Sequence, residues 1–329
     1  MRQTGDLRTL FALVAGMPAL CGITAAAAAD DYPSKPVRLI VPYPAAGPAD
    51  TLARLVAAGA TAKLGRQFVV DNRGGAGGSI GVETVVKATP DGYTLLFGND
   101  GPVAVNPSLY KTVSYDPVRD LAAITQLTSS QLILVAHPSV PFRSVSELIA
   151  AARAQPGRIT FASSGSGNAS HLAGELLNTM GKIKLVHVPY KGAAPALTDL
   201  MGGQVQLLFN NLLSAVPQVK AGKLVALATT GAKRSSATPD VPTVMESGIP
   251  GYDLSLWAGI LVPAKTPKQI VDQLYTVLVE VAGGPDVRPK LVAQGVEFVG
   301  SKPQEFQRHV AVEVEKWAQV VRASGARVD

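Results

Sequence analysis

Cysteine is almost absent from this chain, in which Cys21 is the single example. One thiol cannot form an internal disulfide or a multi-cysteine metal site. Histidine is scarce too, and the four histidines include no pair spaced four residues apart, which disfavours a helical zinc motif. A membrane-spanning helix needs about 20 apolar residues, whereas Gly16, Pro18 and Gly22 interrupt the apolar stretch near the amino terminus.

Charged and aromatic residues are also few, at 16% and 5% of the chain. The 30 Lys and Arg residues exceed the 24 Asp and Glu residues only slightly, and both kinds are scattered. Nucleic-acid binding requires a basic patch or stripe, so we expect no nucleic-acid partner. The small positive excess suits an anionic solute without identifying one.

No cofactor or metal is expected from the motifs. The segment Gly165-Ser166-Gly167-Asn168-Ala169-Ser170 lacks one glycine of the dinucleotide fingerprint and has no partnering acidic residue about 20 positions further on.

Positions 1–29 have the pattern of a secretory signal peptide. Two arginines precede a short apolar stretch, and Ala27-Ala28-Ala29 supplies a cleavage site. We therefore expect cleavage after Ala29 and export to the periplasm. Leu20 stands directly before Cys21, where lipoprotein processing needs a small residue, so we expect no lipid anchor.

Short apolar segments rich in β-branched residues alternate with helical patterns along the chain. Strands are predicted at 37–41, 68–71, 94–97, 132–137, 159–163, 185–189, 206–209, 224–229 and 255–262, with helices at 51–64, 80–87, 145–155, 169–180 and 194–202. Beyond these, helices at 267–282, 286–295 and 303–323 surround a short strand at 297–299. This alternation predicts an α/β fold with parallel sheets flanked by helices.

Strand-turn-helix motifs recur in a fixed order. They include Tyr32-Pro33-Ser34-Lys35-Pro36, Val41-Pro42-Tyr43-Pro44-Ala45-Ala46-Gly47-Pro48-Ala49-Asp50, Asp71-Asn72-Arg73-Gly74-Gly75-Ala76-Gly77-Gly78, Pro90-Asp91-Gly92-Tyr93, Asn106-Pro107-Ser108-Leu109-Tyr110 and His187-Val188-Pro189-Tyr190-Lys191-Gly192. In this order, the motifs resemble those of the Bug family, the periplasmic solute receptors of tripartite tricarboxylate transporters.

The resemblance implies a two-lobe periplasmic-binding-protein fold of type II-like topology, with a mostly parallel sheet in each lobe and the ligand in the cleft between them. Residues 30–130 would begin lobe 1, 131–251 would form lobe 2, and 252–329 would return to lobe 1. It also implies a monomeric receptor that captures a small carboxylate by hinge closure and delivers it to the membrane permease.

The loop after the first strand is the first candidate binding segment. Ligands of open α/β sheets bind beyond the carboxyl ends of the strands, where helix N-termini present unpaired N–H groups. From the residues alone, this loop is an ordinary strand-turn-helix connection. The resemblance implies that it contacts the ligand through Tyr43, Ala45, Ala46, Gly47 and Asp50. Ala46 stands where the family commonly has glycine.

A serine-rich loop before the predicted helix at 169–180 is the second candidate. Its hydroxyls and amide offer several neutral donors in a small space. The resemblance implies that this loop holds a ligand carboxylate from lobe 2, through Ser163, Ser164, Gly165, Ser166 and Asn168. His171 follows in the first helical turn and is a further candidate ligand-binding residue, which we expect to pack or hydrogen-bond there instead of acting as a catalyst.

Asn99, Asp100, Tyr190 and Asn210 follow other predicted strands and should reach the same cleft. Asn210 stands where the resemblance would place an aspartate, so it cannot offer a full negative charge to a cation. We therefore expect a carboxylate ligand without a free α-ammonium group, although Asp100 could supply that charge.

An enzyme is the alternative from another class. Gly77-Gly78-Ser79-Ile80-Gly81 matches the nucleophile-elbow pattern, but the nearest predicted strand ends at Asp71, too early for that turn. We expect a receptor and no enzyme; a secreted α/β hydrolase, or a receptor serving a signalling partner, remains the alternative.

Overall fold

The computed structural model describes residues 32–293 and 295–325. The expected signal peptide at positions 1–29 lies outside the described residues. From Pro33 onward the chain forms one compact unit. Within the described residues, every helix is too short or too polar to span a bilayer.

Helices and strands alternate through the whole unit. The strands are β1 (Val37–Val41), β2 (Phe68–Asn72), β3 (Thr94–Asn99), β4 (Leu121–Ala136), β5 (Thr160–Ser163), β6 (Val186–Pro189), β7 (Leu207–Asn211), β8 (Val225–Thr229), β9 (Ser255–Pro263) and β10 (Glu297–Phe298).

The helices are α1 (Pro48–Leu64), α2 (Ser79–Val86), α3 (Asn106–Leu109), α4 (Pro117–Asp120), α5 (Val145–Ala154), α6 (Ala169–Gly181), α7 (Ala193–Met201), α8 (Leu212–Lys220), α9 (Lys268–Gly283), α10 (Arg288–Ala293) and α11 (Pro303–Ser324). A 3-10 turn at Ala76–Gly78 precedes α2, and a short π-helix at Gly101–Val105 precedes α3. This arrangement confirms the predicted α/β class.

The sheet has two parallel ends joined by antiparallel strands. Its order is β2-β1-β3-β9-β4-β7-β5-β6, with β8 and β10 also paired to β4. Strand β1 runs parallel to β2 and β3, and β5 runs parallel to β6 and β7. The pairs that involve β4 and β9 are antiparallel, because the chain reverses direction in passing between the two ends.

Strand β4 belongs to both ends of the sheet. Leu121 to Gln131 pair with β9, and Leu132 to Ala136 pair with β7. The exchange of partners, between Gln131 and Leu132, lies next to the lobe boundary expected after residue 130. The division into lobes at 30–130, 131–251 and 252–329 stays a prediction.

Only the second half of β4 was predicted from the sequence. Its first half carries the buried polar residues Thr125, Gln126 and Thr128, which break the apolar pattern expected of a central strand. The Thr125 hydroxyl donates to the backbone oxygen of Ser301 over 2.8 Å, and the Ser301 hydroxyl accepts from the Gln126 N–H over 3.1 Å. These polar groups are therefore satisfied by a segment far away in the sequence.

Helix α8 was also missed, because Pro217 stands inside it and proline removes a helical hydrogen bond. Asn211 caps this helix by accepting a bond from the Ser214 N–H over 3.0 Å. The cap supports the first turn despite the proline.

Candidate functional site

A polar cavity of about 300 Å³ lies where the loops after β1 and β3 face the loop after β5. One wall is formed by residues from the first part of the chain, including Tyr43, Gly77, Asn99, Asp100, Asn106 and Tyr110. The facing wall precedes or begins α6 and includes Ser166, Gly167, Asn168 and Leu172. Loops at the carboxyl ends of parallel strands thus converge on one space, as expected for an open α/β sheet.

The structure brings together five of the predicted site residues around this cavity, namely Tyr43, Asn99, Asp100, Ser166 and Asn168. The other predicted residues do not line it: Ala45, Ala46, Gly47, Asp50, Ser163, Ser164, Gly165, His171, Tyr190 and Asn210. The lining residues Asn106 and Tyr110 were not among the predicted contacts. They belong to the motif Asn106-Pro107-Ser108-Leu109-Tyr110, whose position after β3 was the available signal.

Asp50 shapes the loop after β1 from behind. Its buried carboxylate accepts bonds from the Ala46 N–H (2.9 Å), from Arg54 Nε (2.9 Å) and from Asn72 Nδ2 (3.0 Å). The bond from Arg54 is the main reason that the pKa of Asp50 is lowered to about 2. All these partners belong to the protein, so Asp50 holds the loop in place while Ala45 and Ala46 remain exposed.

Ala46 adopts a left-handed backbone conformation, with φ at 67°. A residue with a Cβ pays about 1 kcal/mol or more for this conformation. The bond from its own N–H to Asp50 helps to keep it there.

Tyr43 and Asn99 connect the first two loops. The Tyr43 hydroxyl donates to Asn99 Oδ1 over 3.0 Å. Burial, followed by the nearby charge of Asp100, raises the pKa of Tyr43, so its hydroxyl stays protonated. The bond orients the Asn99 amide so that its NH₂ group remains available as a donor.

Donors without a protein partner remain at the cavity. Within the described part of the chain, the Tyr110 hydroxyl, the Ser166 hydroxyl and the Asn99 NH₂ group make no hydrogen bond to protein. Each is neutral and can donate to an anion.

Most of the serine-rich loop is occupied by its own hydrogen bonds. Ser163 is fully buried, and its Oγ lies 2.6 Å from His187 Nε2. Asn168 Nδ2 donates to Ser164 Oγ over 2.7 Å, and Asn168 Oδ1 accepts from the His171 N–H as the cap of α6. The loop is thereby fixed in a shape that leaves Ser166 facing the cavity.

Two stacked histidines support this loop from below. The rings of His171 and His187 are 3.8 Å apart, and His187 stacks in turn on Phe161 at 5.1 Å. His171 Nδ1 accepts a bond from the Gly167 N–H over 3.0 Å. Desolvation lowers the pKa of both rings, that of His187 to about 4 with a further contribution from His171, so the pair is neutral near pH 7. His171 has the packing and hydrogen-bonding place expected for it, whereas the role of His187 was missed.

Tyr190 and Asn210 lie away from the cavity wall. The Tyr190 hydroxyl donates to Asp199 Oδ2 over 2.7 Å. Asn210 is buried, and its Oδ1 accepts from the Asn211 N–H. Among the described residues, its Nδ2 has no hydrogen-bond partner.

The hydrolase motif has no catalytic geometry. Ser79 is buried, accepts a bond from Asn106 Nδ2 and contacts the Tyr115 hydroxyl. It follows a 3-10 turn instead of the strand end that a nucleophile elbow requires. In the part of the chain that the structure describes, no cluster of three or more His, Cys, Asp or Glu residues could hold a metal.

The strand-end loops of this α/β sheet enclose a small cavity, which is where proteins with such sheets bind their ligands. The family model for the tripartite tricarboxylate transporter family receptor matches residues 52–326. BugT of Bordetella pertussis is 35% identical over 324 residues, which cover 98% of this chain and 99% of that protein. The chain therefore belongs to the family of tripartite tricarboxylate transporter receptors.

Solved structures agree with this assignment. An R. palustris protein solved with adipate is 38% identical, with a TM-score of 0.70, and the match covers 91% of this chain and 100% of that one. MatC from Rhodopseudomonas palustris, with bound malate, is 31% identical, with a TM-score of 0.68 and coverage of 88% and 100%. Family membership confirms the prediction of a receptor over an enzyme.

Proposed function

We propose that this receptor captures a small carboxylate, of the size of adipate or malate, in the cavity between the β3 and β5 loops. The observation that carries the proposal is the convergence of unpaired neutral donors on that cavity, from Asn99 and Tyr110 on one wall and Ser166 on the other. The adipate and malate found in two related structures support the ligand class.

The available donors are sufficient for useful affinity. Hydrogen bonds to a charged group contribute about 1.5–3 kcal/mol each, so three of them contribute about 5–9 kcal/mol. Micromolar binding corresponds to about 8 kcal/mol. Ordering costs reduce the sum, and further contacts made when the walls approach each other would offset them.

Hinge closure is the proposed mechanism. Asn99 and Tyr110 precede β4, whereas Ser166 follows β5, so a bridging ligand favours the conformation in which both walls touch it. Gly167 already lies close to the opposite wall, since a Cβ added there would be 3.3 Å from Leu109 Cδ2. A ligand that binds both walls shifts the population toward the closed receptor.

The proposal includes a periplasmic location and delivery to the membrane permease of a tripartite tricarboxylate transporter. The family description supports the transporter link, and a related structure is described as the periplasmic binding protein BugD. The signal-peptide pattern at positions 1–29 supports export. We propose a monomeric receptor, since one chain supplies both walls of the cavity.

Isothermal titration calorimetry with adipate, malate, succinate and citrate tests the binding proposal. We expect at least one of these acids to bind with one site per chain, and the double variant Tyr110→Phe/Ser166→Ala to bind it at least tenfold more weakly. The control Tyr275→Phe/Ser236→Ala makes the same two exchanges away from the cavity and should bind like the unmodified protein. Full affinity in the cavity double variant would place the ligand elsewhere.

A further inference from the structure

The cavity contains an acidic side chain and no basic one. Asp100 lies in its wall, and the described lining includes no lysine, arginine or histidine. A site for an anionic solute would ordinarily pair the charge with a cation or with neutral donors. Here a carboxylate ligand must approach another carboxyl group.

The surroundings of Asp100 make its ionised form costly. Glu313, on α11, is buried and close enough to repel a negative charge on Asp100, while Lys316 on the same helix attracts it. Lys316 is itself paired with Glu313 and donates to the Asp253 backbone oxygen over 2.9 Å. The attraction from Lys316 is therefore shared with its own partners.

The other titratable groups in the described cavity lining are the phenols of Tyr43 and Tyr110. His309 on α11 also interacts with the charge of Glu313, but desolvation lowers the pKa of its ring, so His309 adds no positive charge near pH 7. The pKa of Tyr43 is raised, so its hydroxyl is neutral and contributes no charge. Burial, and secondarily the negative charge of Glu313, raises the pKa of Asp100 to about 7. The acid is therefore poised between its two forms at neutral pH before any ligand binds.

A bound carboxylate adds a second like charge next to Asp100. Two carboxyl groups that share a site cannot both ionise easily, and one of them keeps its proton. A protonated carboxyl gains an O–H donor, and an O–H···O⁻ bond is short and strong. The same proton thus removes a repulsion and creates a hydrogen bond.

We propose that protonated Asp100 donates a hydrogen bond to the ligand carboxylate, so that capture of the ligand above neutral pH takes up close to one proton from solvent. The proton stays on Asp100 and no bond of the ligand is broken. Asp100 is then the residue that makes affinity depend on pH and selects against ligands with a cation at this position. The inference rests on the proposed capture of a small carboxylate.

Calorimetry of adipate and malate binding between pH 6.5 and 8.5 tests this coupling. Both acids are ionised over this range, because ordinary carboxyl groups titrate at about 4. We expect the dissociation constant to rise about 25-fold over this range, approaching tenfold per pH unit above neutrality. Repeating the titration at pH 8 in buffers with different ionisation enthalpies should give an uptake close to one proton per ligand.

Three variants sharpen the test. Asp100→Asn keeps a donor but cannot titrate, so its affinity should be independent of pH and proton uptake should vanish. Glu313→Gln should move the onset of weakening to lower pH, because one repulsive charge is removed. Asp272→Asn, an exposed aspartate on α9, is the control and should retain the pH dependence of the unmodified protein.

The outcomes separate this inference from the proposed function. Carboxylate binding that is independent of pH, with no proton uptake, overturns the inference and leaves the receptor function intact. Tight binding of aspartate or glutamate that is lost in Asp100→Asn also overturns it, since Asp100 would then be an ionised partner of an ammonium group. Failure of every acid to bind at any pH overturns both proposals.

Discussion

Gly174 in α6 is the position where one added methyl group should disturb the stacked rings that support the serine-rich loop. An ideal Cβ at this position would lie 2.1, 2.4 and 2.6 Å from three atoms of the Phe161 ring. Phe161 is fully buried and stacks on His187, which in turn contacts the serine-rich loop through Ser163. The ring can make room only by leaving this stack.

The magnitude follows from two opposing effects. Overpacking a rigid core costs about 1–3 kcal/mol, and replacing glycine by alanine inside a helix returns about 1 kcal/mol. We therefore expect Gly174→Ala to lower the free energy of unfolding by up to about 2 kcal/mol. Because the displaced ring carries the histidine stack, the affinity for the bound acid should also fall.

Gly181→Ala in the same helix is the matched control. The nearest atom to a Cβ there is Ile183 Cγ1 at 3.5 Å, an ordinary contact. Urea unfolding followed by circular dichroism should show this control to be as stable as the unmodified protein or up to about 1 kcal/mol more stable. If Gly174→Ala unfolds with the same free energy as Gly181→Ala, the packing argument is wrong.

Three further predictions concern the loop after β1, the histidine stack and the hinge. Ala46→Gly should raise the free energy of unfolding by up to about 1 kcal/mol, since glycine accepts the left-handed φ of 67°. Ala58→Gly on the exposed face of α1 is the control and should lower that free energy by about 1 kcal/mol. Urea titrations in which Ala58→Gly is more stable than Ala46→Gly would refute this prediction. Desolvation lowers the pKa of His187 from the ordinary 6.5 to about 4 in the folded protein, so the unfolded chain binds more protons, and stability should fall by about 2–3 kcal/mol as the pH drops from 6.5 to 4. His187→Gln should reduce that loss, with His137→Gln as the control, and equal slopes in all three proteins would argue against a neutral buried His187. Small-angle X-ray scattering should show a smaller radius of gyration with a saturating acid than without it, whereas an unchanged radius would exclude hinge closure.

The elements with local signals could be predicted from the sequence. Strands such as β1 and β9 are mainly apolar segments, and their bounds match the predicted ones closely. The first half of β4 could not be predicted, because the partners that satisfy Thr125 and Gln126 come from Ser301, 176 and 175 residues away. Local pattern carries no information about such distant hydrogen bonds.

In the candidate site, too, some features could be predicted from the sequence and others could not. The loops that reach the cavity could be predicted, because strand ends in an α/β sheet converge. Which side chain faces the cavity could not, since Ser163 is turned away by His187, 24 residues further on. The electrostatic environment of Asp100 depends on Glu313 and Lys316 of α11, which no local motif connects to β3.

Native mass spectrometry of the receptor purified from the periplasm, without refolding, tests the central claim most directly. The account predicts a species heavier than the chain by one small carboxylic acid, which is released intact on collisional activation and is reduced in Tyr110→Phe/Ser166→Ala. A bound molecule that has no carboxyl group, or an added mass that remains attached to a serine after denaturation, would contradict it.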